Sequence, residues 1–343
     1  MAGQVTLSDV AREAGVSLAT ASRALNGSAN RTVGADLRQR VLAAAARLRY
    51  SPDGIAQAMA RGRTTSLGLV VHDIADPYFG AIAAGVAAAA DEAGLMVTLA
   101  STGRDPQREI ETVGLLERQR ARAVILAGGR TGDPGADDAL RAALDSFRGI
   151  GGSVAVIGQA ALGSSTVAVG NREGASDLVR ALHGRGYRRF AVLAGPGAHA
   201  TAADRRDGFL EELAALGCPV PPDRVLPSPL SRDGAYEAMR RLLADRGDVE
   251  VVLALNDVMA VGALAAARDA GVDVPGDLAV AGFDGIETLR DVTPALTTVR
   301  LPLEQIGAEA VRLVLAPPAD DPVVVPVLGA VELRDSTPGL PRR

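Results

Sequence analysis

Helical spacing of apolar residues marks the start of the chain. From Leu7 to Ala14 these residues fall on one helix face, with Thr6 as an N-cap before them and Gly15, which tolerates the left-handed conformation, after them. A second short helix, Leu18 to Leu25, is predicted after the capping residue Ser17. Two short helices joined by a tight glycine-containing turn predict a helix-turn-helix, whose second helix can enter the DNA major groove. A helical hairpin that packs on the rest of the protein would produce the same pattern.

From residue 66 onward the pattern changes to short apolar runs that alternate with helical stretches. Such runs predict buried strands joined by crossover helices, in two series that form two doubly wound parallel sheets in tandem. Sheets of this kind bind ligands at the carboxyl ends of their strands. The predicted strands are Leu67–Val71, Met96–Ala100, Ala123–Ala127 and Val154–Ile157 in the first series, and Val167–Val169, Phe190–Ala194, Val251–Ala254 and Leu278–Phe283 in the second.

Charge separates the same two regions. Residues 1–65 carry nine arginines and four acidic residues, a net charge of +5, whereas the whole chain carries −5, so residues 66–343 carry −10. A basic head on an acidic body is what a nucleic-acid contact confined to one end requires. The single cysteine, Cys218, excludes a disulfide framework, and no secretory signal or apolar span is evident, so we expect a cytoplasmic protein without membrane contact.

The amino-acid sequences of several segments, spread over essentially the whole chain, resemble those of the LacI/GalR repressor family. A third predicted helix, Ala35 to Arg49, and the Tyr50-Ser51-Pro52 run that follows it also fit that family. The resembling segments are 6–11 (TLSDVA), 14–17 (AGVS), 20–26 (TASRALN), 73–79 (DIADPYF), 171–175 (NREGA), 256–260 (NDVMA), 282–284 (GFD) and 293–299 (TPALTTV).

The resemblance implies specific DNA contacts. Leu18, Ala19 and Arg23 would face base edges, and Arg23 is best suited to a guanine. Residues placed to hold phosphates would be Thr6, Ser17, Thr20, Ser22 and Asn26, which set the register without reading sequence.

A hinge is expected after the head. Pro52 suits the first turn of a helix over residues 53–60, which in the family orders on operator DNA and pairs with its dimer mate. The resemblance places Ala58 and Met59 in the minor groove, with Met59 in the wedge position that the family usually fills with Leu. An ordinary linker between the head and the core would be compatible with the same residues.

Candidate ligand residues follow the predicted strands of the body. Asp73, Asp257 and Asp284 come at strand ends, Phe79 follows the first of them, and Arg205 starts a helix. Carboxylates accept from hydroxyls, Arg donates and an aromatic ring covers an apolar face, so the set suits a small sugar-like effector. The alternative for each acid is that it caps the next helix.

The expected architecture is multidomain, with an all-α helix-turn-helix head and an α/β two-lobed periplasmic-binding-protein-like core. The head spans residues 1–51, the hinge 52–65 and the core 66–343. Within the core we expect an N-lobe over about 66–162 plus 293–322 and a C-lobe over about 163–292 plus 323–343. Gly170 stands where the family usually has Asp, so one ligand contact is expected to be missing.

Together these observations predict a sequence-specific DNA-binding transcriptional regulator, a repressor controlled by a small effector. We expect a homodimer, and therefore a pseudo-palindromic double-stranded operator. No enzyme, metal site or cofactor is expected, because His72, His183 and His199 lack metal-type spacing and no partnered nucleophile is evident. The alternative is a solute-binding sensor protein without a DNA role.

Overall fold

A computed structural model describes residues 5–26, 33–50, 64–317 and 321–340. The chain divides into two compact units, residues 1–65 and residues 66–343. They are called the head and the core below, and each is described by itself.

The described residues of the head form three helices around a small apolar core. Val10, Ala21 and Val41, one from each helix, are fully buried at its centre. The predicted helix-turn-helix is therefore confirmed. Its helices are α1 (Leu7–Ala14), α2 (Leu18–Asn26) and α3 (Ala35–Leu48).

Local chemistry sets the ends of the first helix. Thr6 and Asp9 form a capping box, in which each side chain accepts from the backbone N–H of the other. Gly15 ends α1 with φ of 64°, a left-handed conformation that other residues adopt with strain. Arg40 on α3 donates to the Ala14 carbonyl over 2.6 Å, which satisfies one of the free acceptors at that helix end.

The core alternates strands and helices, as the apolar runs predict. Its strands are β1 (Ser66–Val71), β2 (Met96–Ser101), β3 (Ala123–Ala127), β4 (Ser153–Gly158), β5 (Ser165–Val169), β6 (Phe190–Ala194), β7 (Val225–Pro227), β8 (Val251–Ala254), β9 (Ala279–Ala281), β10 (Thr298–Arg300), β11 (Val324–Val327) and β12 (Ala330–Glu332). Its α-helices are α4 (Pro77–Glu92), α5 (Pro106–Arg118), α6 (Pro134–Gly149), α7 (Asn171–Gly184), α8 (Ala200–Ala215), α9 (Arg232–Ala244), α10 (Asp257–Asp269) and α11 (Leu303–Leu315), with short 3₁₀ turns at Pro222–Arg224 and Glu287–Arg290.

The N-lobe sheet has six parallel strands in the order β11-β5-β4-β3-β1-β2. Helices α4 and α11 pack on one face, and α5 and α6 on the other, so alternate strand residues enter separate apolar clusters. Gly85 and Gly307 allow α4 and α11 to approach closely, since a Cβ on either would lie within 2.5 Å of the facing backbone.

The C-lobe sheet has four parallel strands in the order β7-β6-β8-β9, against which α7 packs along α8 and α9 along α10. Strands β10 and β12 form a separate antiparallel pair where the chain crosses between the lobes. The chain end then returns to the C-lobe, where Ser336 bonds to Val280 through both its backbone and its hydroxyl.

Two expectations about the core were wrong. Strand β5, expected to start the second series, pairs with β4 in the first sheet, and β11 pairs with β5 rather than joining the C-lobe. The lobe boundaries therefore fall near residues 170 and 327. Strand β2, expected to be buried, is an edge strand with a single neighbour, which leaves Met96 69% exposed.

Candidate functional site

A cleft lies between the two lobes of the core, at the carboxyl ends of the strands of both sheets. It encloses about 590 Å³ of empty space, counting its open mouth. This is the position that doubly wound sheets offer to a ligand. The polar and aromatic side chains of its lining are His72, Asp76, Tyr78, Phe79, Arg104, Asn171, His199, Thr201, Arg205, Asn256 and Asp284.

Arg205 on α8 holds the centre of this lining and is only 4% exposed. Its Nε donates to Asn171 Oδ1 and its Nη1 to the Leu255 carbonyl, each over 2.8 Å. The guanidinium carbon also lies 3.9 Å from the centre of the Phe283 ring, a cation–π arrangement. The sequence predicted Arg205 at the site, and the structure places it there.

Asp284 follows β9 and faces Arg205. Its Oδ1 lies 2.8 Å from Nη2 of Arg205, but outside hydrogen-bonding alignment. Burial raises the pKa of this carboxyl above its usual range, an effect that Arg205 opposes. Asp284 also has φ of 122°, an uncommon conformation for a residue with a side chain. The structure therefore places Asp284 in the cleft, with one buried oxygen that lacks a hydrogen-bond donor.

Asp257, also predicted as a ligand residue, is absent from the cleft lining and completely buried. Its Oδ2 accepts from the backbone N–H groups of Gly285 and Ile286 over 2.8 Å each, and its Oδ1 from the Thr298 hydroxyl over 2.7 Å. These donors satisfy the carboxylate. Asp257 thus anchors the crossover segments behind the cleft, and the expectation of ligand contact is corrected.

In the segment after β1, the residue that lines the cleft is also a different one from the residue predicted. Asp73, the predicted ligand, does not line the cleft, because its Oδ1 accepts from the Ala75 N–H in a local turn. Asp76 lines the cleft instead, while its Oδ1 caps α4 by accepting from the Tyr78 N–H over 3.0 Å. Burial raises the pKa of Asp76. Phe79, predicted to cover an apolar face, does line the cleft.

Several cleft residues were missed by the sequence reasoning. His72 directly follows β1, Asn171 follows β5 and Asn256 follows β8, so the strand-end rule that selected the aspartates could have selected them too. Asn256 caps α10 by accepting from the Met259 N–H over 2.8 Å. Arg104 and His199 lie in loops, where no periodic pattern indicates a position.

Both cleft histidines are held neutral. Burial lowers the pKa of His72 to about 3, assisted by the charge of Arg130 behind it. Burial also lowers the pKa of His199 to about 4, and Arg104 is the next largest influence. Gly128 lies against the His72 ring so closely that a Cβ there would fall 2.5 Å from a ring carbon. The two imidazoles therefore serve the cleft as hydrogen-bonding groups and not as charges.

Gly170 precedes α7 as its N-cap and lies beside the Leu328 side chain. A Cβ at this position would meet the Leu328 side chain at 2.5 Å, and Gly170 is absent from the cleft lining. Leu328 is 64% exposed, so a rotation of its side chain would relieve this contact at little cost.

The outer face of α2 is the candidate DNA-reading surface of the head. Leu18 is 50% exposed and Ala19 is also exposed, although both belong to a helix whose other face is buried. Arg23 is half-buried, and its Nε donates to the Ala19 carbonyl over 3.0 Å. The structure therefore presents the three predicted base-reading residues on one accessible stretch of α2.

The predicted phosphate contacts on the head take part in local capping. Thr6 lies in the capping box, and the Ser17 and Thr20 hydroxyls lie 2.8 Å apart at the start of α2. Ser22 is half-buried on the same helix. The side chain of Asn26, together with Ala58, Met59 and the rest of the predicted hinge helix, lies outside the described residues.

Within the described ranges, no helix is long and apolar enough to span a membrane. In the same part of the chain, no group of three or more His, Cys, Asp or Glu side chains could hold a metal ion.

A helix-turn-helix head joined to a two-lobed core with a charged interlobe cleft is the architecture of a DNA-binding regulator. Residues 6–53 match the family of bacterial regulatory proteins, lacI family, and residues 179–337 match the periplasmic binding protein-like domain. The regulator GalS of Salmonella typhimurium is 34% identical over 313 residues, which cover 91% of this chain and 89% of GalS. The chain therefore belongs to the LacI family of DNA-binding transcriptional regulators.

Other comparisons agree on the family and the fold. GalR of Escherichia coli is 33% identical, with 91% of this chain and 88% of GalR covered. The structure of the Lac repressor dimer bound to operator and the anti-inducer ONPF has a TM-score of 0.84 at 25% identity, covering 98% of this chain and all of the other. A complex of the transcriptional regulator CelR with cellobiose has a TM-score of 0.71 at 30% identity, covering 97% and 99%. These relatives are regulators and not enzymes, which confirms the prediction on that point.

Proposed function

We propose that this protein is a repressor whose affinity for a specific operator is set by a small sugar-like effector in the interlobe cleft. The observation that carries the proposal is the accessible face of α2, with Leu18, Ala19 and Arg23 on it, in a capped helix-turn-helix. The cleft, with its Arg205–Asp284 pair, is the proposed effector-binding site.

On the DNA side, Arg23 is proposed as the main base reader. A guanidinium can donate two parallel hydrogen bonds to O6 and N7 of guanine, whereas Leu18 and Ala19 offer apolar contact, for instance to a thymine methyl group. The bond from Arg23 Nε to the Ala19 carbonyl holds the side chain along the helix surface. Ser17, Thr20, Ser22 and Asn26, together with Thr6, Ala58 and Met59, are proposed to contact the DNA around these base readers.

On the effector side, the cleft offers Asp76 and Asp284 as acceptors for hydroxyl groups, Arg205 and Asn256 as polar partners, and Phe79 as an apolar wall. This mixture suits a polyhydroxy molecule with one apolar ring face. The Lac repressor and CelR structures, solved with ONPF and with cellobiose, support the same class of ligand.

We further propose a homodimer that binds a pseudo-palindromic operator in the cytoplasm, associated with the nucleoid. The Lac repressor structure is a dimer on its operator, which supports this assembly. In this chain, the edge strand β2 exposes Met96 and Leu99, apolar side chains that a second copy could cover.

Coupling between effector and DNA is proposed to start at Asp284. Its backbone N–H donates to the Val299 carbonyl and its own carbonyl accepts from the Leu301 N–H, so a shift of Asp284 moves the crossover chain. Allosteric coupling of about 1–3 kcal/mol would change operator affinity roughly 5- to 150-fold.

The DNA half of the proposal is tested by selecting an operator from a randomised duplex library and measuring its affinity by fluorescence anisotropy. Arg23→Ala should reduce the preference for operator over scrambled DNA by about 1–3 kcal/mol, while weak salt-sensitive binding persists. Arg47→Ala is the matched control, because Arg47 is exposed on α3 and pairs only with Glu13 at the surface.

Two results would contradict the DNA half. An unchanged preference in Arg23→Ala removes its role as base reader. Specific operator binding by a chain that starts at residue 66 removes the head as the reader altogether and favours the sensor without a DNA role.

A further inference from the structure

The two cationic side chains of the cleft are in different states of pairing. Arg205 has Asn171, Leu255 and Asp284 as partners. Arg104 lines the same cleft half-buried, yet within the described part of the chain it has no hydrogen bond and no carboxylate within ion-pair distance. A partly desolvated guanidinium without an acceptor is stabilised when an anionic group binds it.

The backbone at Arg104 fixes this position. Its φ is 64°, in the left-handed region that costs a residue with a Cβ roughly 1 kcal/mol or more. Hydrogen bonds on both sides hold the turn, from the Gly103 N–H to the His72 carbonyl and from the Asp105 N–H to the Thr102 carbonyl. The cation is therefore carried by a constrained turn at the cleft wall and not by a free loop.

His199 adds a second unused donor to the cleft lining. Its Nδ1 accepts from the Ala202 N–H over 3.4 Å, so the neutral ring carries its proton on Nε2. That Nε2 is buried and has no hydrogen-bond partner among the described atoms. Both donors belong to the same cleft lining around His72. The His199 ring centre lies 6.0 Å from that of His72, whose carbonyl accepts from the N–H of Gly103, the residue before Arg104.

The carboxylates of the cleft form no hydrogen bond or ion pair with Arg104 or His199, although the charge of Arg104 acts against the rise in the pKa of Asp76. Asp284 faces Arg205, and Asp76 caps α4 through the Tyr78 N–H. Neither lies within 4 Å of Arg104 in an ion pair. The cleft thus contains two carboxylates that already have partners, Asp76 and Asp284, and two donors that have no acceptor among the described residues, Arg104 and His199 Nε2.

We propose that the effector carries an oxyanion group, a carboxylate or a phosphate, that accepts hydrogen bonds from Arg104 and from His199 Nε2–H. Its hydroxyl-bearing part then lies toward Asp284 and Phe79. This inference rests on the proposed effector role of the cleft and narrows the ligand to acidic sugar derivatives, such as sugar acids or sugar phosphates.

The test uses the full-length protein with matched neutral and acidic probes, followed by thermal shift and isothermal titration calorimetry. The probes are glucose, glucuronate and glucose 6-phosphate, then ribose and ribose 5-phosphate, then inorganic phosphate alone. Arg104→Gln removes the cation. Arg108→Gln is the control, because Arg108 lies on the next helix outside the cleft, with a 70% exposed side chain that pairs only with Asp105.

At least one acidic probe is expected to bind about tenfold or more tightly than its neutral parent, the range of one charge-assisted interaction. Arg104→Gln should abolish that preference and Arg108→Gln should retain it, with the thermal unfolding of both free variants close to that of the parent. The carboxylate and phosphate probes then decide between the two sources of the oxyanion.

Three outcomes overturn the inference. They are neutral probes that bind as tightly as every acidic one, an acidic preference that survives Arg104→Gln, and the absence of Arg104-dependent stabilisation by any acidic probe or by inorganic phosphate. Neutral sugars that bind as tightly as their acidic counterparts and also shift operator affinity would refute the oxyanion while leaving the proposed function intact. A failure of the proposed function would instead appear as bound ligands that leave DNA affinity unchanged.

Discussion

The head and the core place their proposed functional side chains in opposite environments. On the head, Leu18, Ala19 and Arg23 lie on an accessible helix face above a small apolar core. In the core, Arg205 and Asp284 are 4% and 2% exposed. DNA is a large surface that approaches from outside, whereas a small effector must be surrounded, so one site is built from exposed groups and the other from buried ones.

The difference determines how function and stability are connected. A buried charge is costly without its partners, so the cleft residues support each other and the fold at once. An accessible reading residue keeps its contact with water in the free protein, so its loss should weaken DNA binding and leave the fold nearly unchanged. Replacements of the paired, buried cleft residues Arg205 and Asp284 should therefore destabilise the free protein far more than replacements on the α2 face.

The largest effect is expected for Arg205→Met. The change leaves Asn171 and the Leu255 carbonyl without their buried donor and Asp284 without its opposite charge. Breaking a buried ion pair from one side costs about 3–5 kcal/mol. Urea unfolding of the core measures the loss. Arg206→Met, which removes a part-exposed ion pair with Asp207, should cost about 1 kcal/mol or less. Equal losses in the two variants would mean that burial does not separate the cleft from the surface.

A slightly smaller loss, about 3 kcal/mol, is expected for Asp257→Ala. The change leaves the buried Gly285 and Ile286 N–H groups and the Thr298 hydroxyl without their hydrogen-bond acceptor. Because these bonds exist without ligand, the free protein should already be destabilised in urea unfolding. Normal stability combined with a lost effector response would restore Asp257 as a ligand residue and contradict the structural role.

The smallest effect is expected on the head, for Thr6→Ala. Removing the capping hydroxyl should weaken α1 by about 1 kcal/mol, seen as faster hydrogen exchange in peptides that cover residues 5–16. Ser8→Ala is the control, since Ser8 is an exposed residue within the first turn and Ala favours the helix interior. Equal exchange rates in Thr6→Ala and the parent would show that the cap contributes nothing.

Local patterns predicted most of the elements because local physics forms them. The helix α1 and the strands Ala123–Ala127, Phe190–Ala194 and Val251–Ala254 have the predicted bounds, since caps and short apolar runs mark their ends. The place where an element packs in the molecule does not follow from local patterns. The sheet that β5 joins and the exposed edge of β2 depend on strands distant in sequence.

For the candidate cleft too, local patterns predicted one part and the tertiary structure decided the rest. That polar residues at strand ends would gather in one place follows from the parallel sheets, and Phe79, Arg205 and Asp284 are found there. Which acid faces the cleft depends on short-range competition for backbone donors. Asp257 is taken by Gly285, Ile286 and Thr298, and Asp73 by Ala75.

By itself, then, the sequence determined the helix-turn-helix, the wound sheets, the family and the arginine at the centre of the cleft, because capping, periodicity and motif wording are local properties. Tertiary structure alone decided that Asp257 is an anchor and that Asp76 replaces Asp73 at the cleft. It also decided that the Arg104 guanidinium and His199 Nε2 lie there without a hydrogen-bond partner among the described residues. The physical reason is that the partners of a buried polar group come from elsewhere in the chain, and only the folded arrangement shows which donors and acceptors are already satisfied.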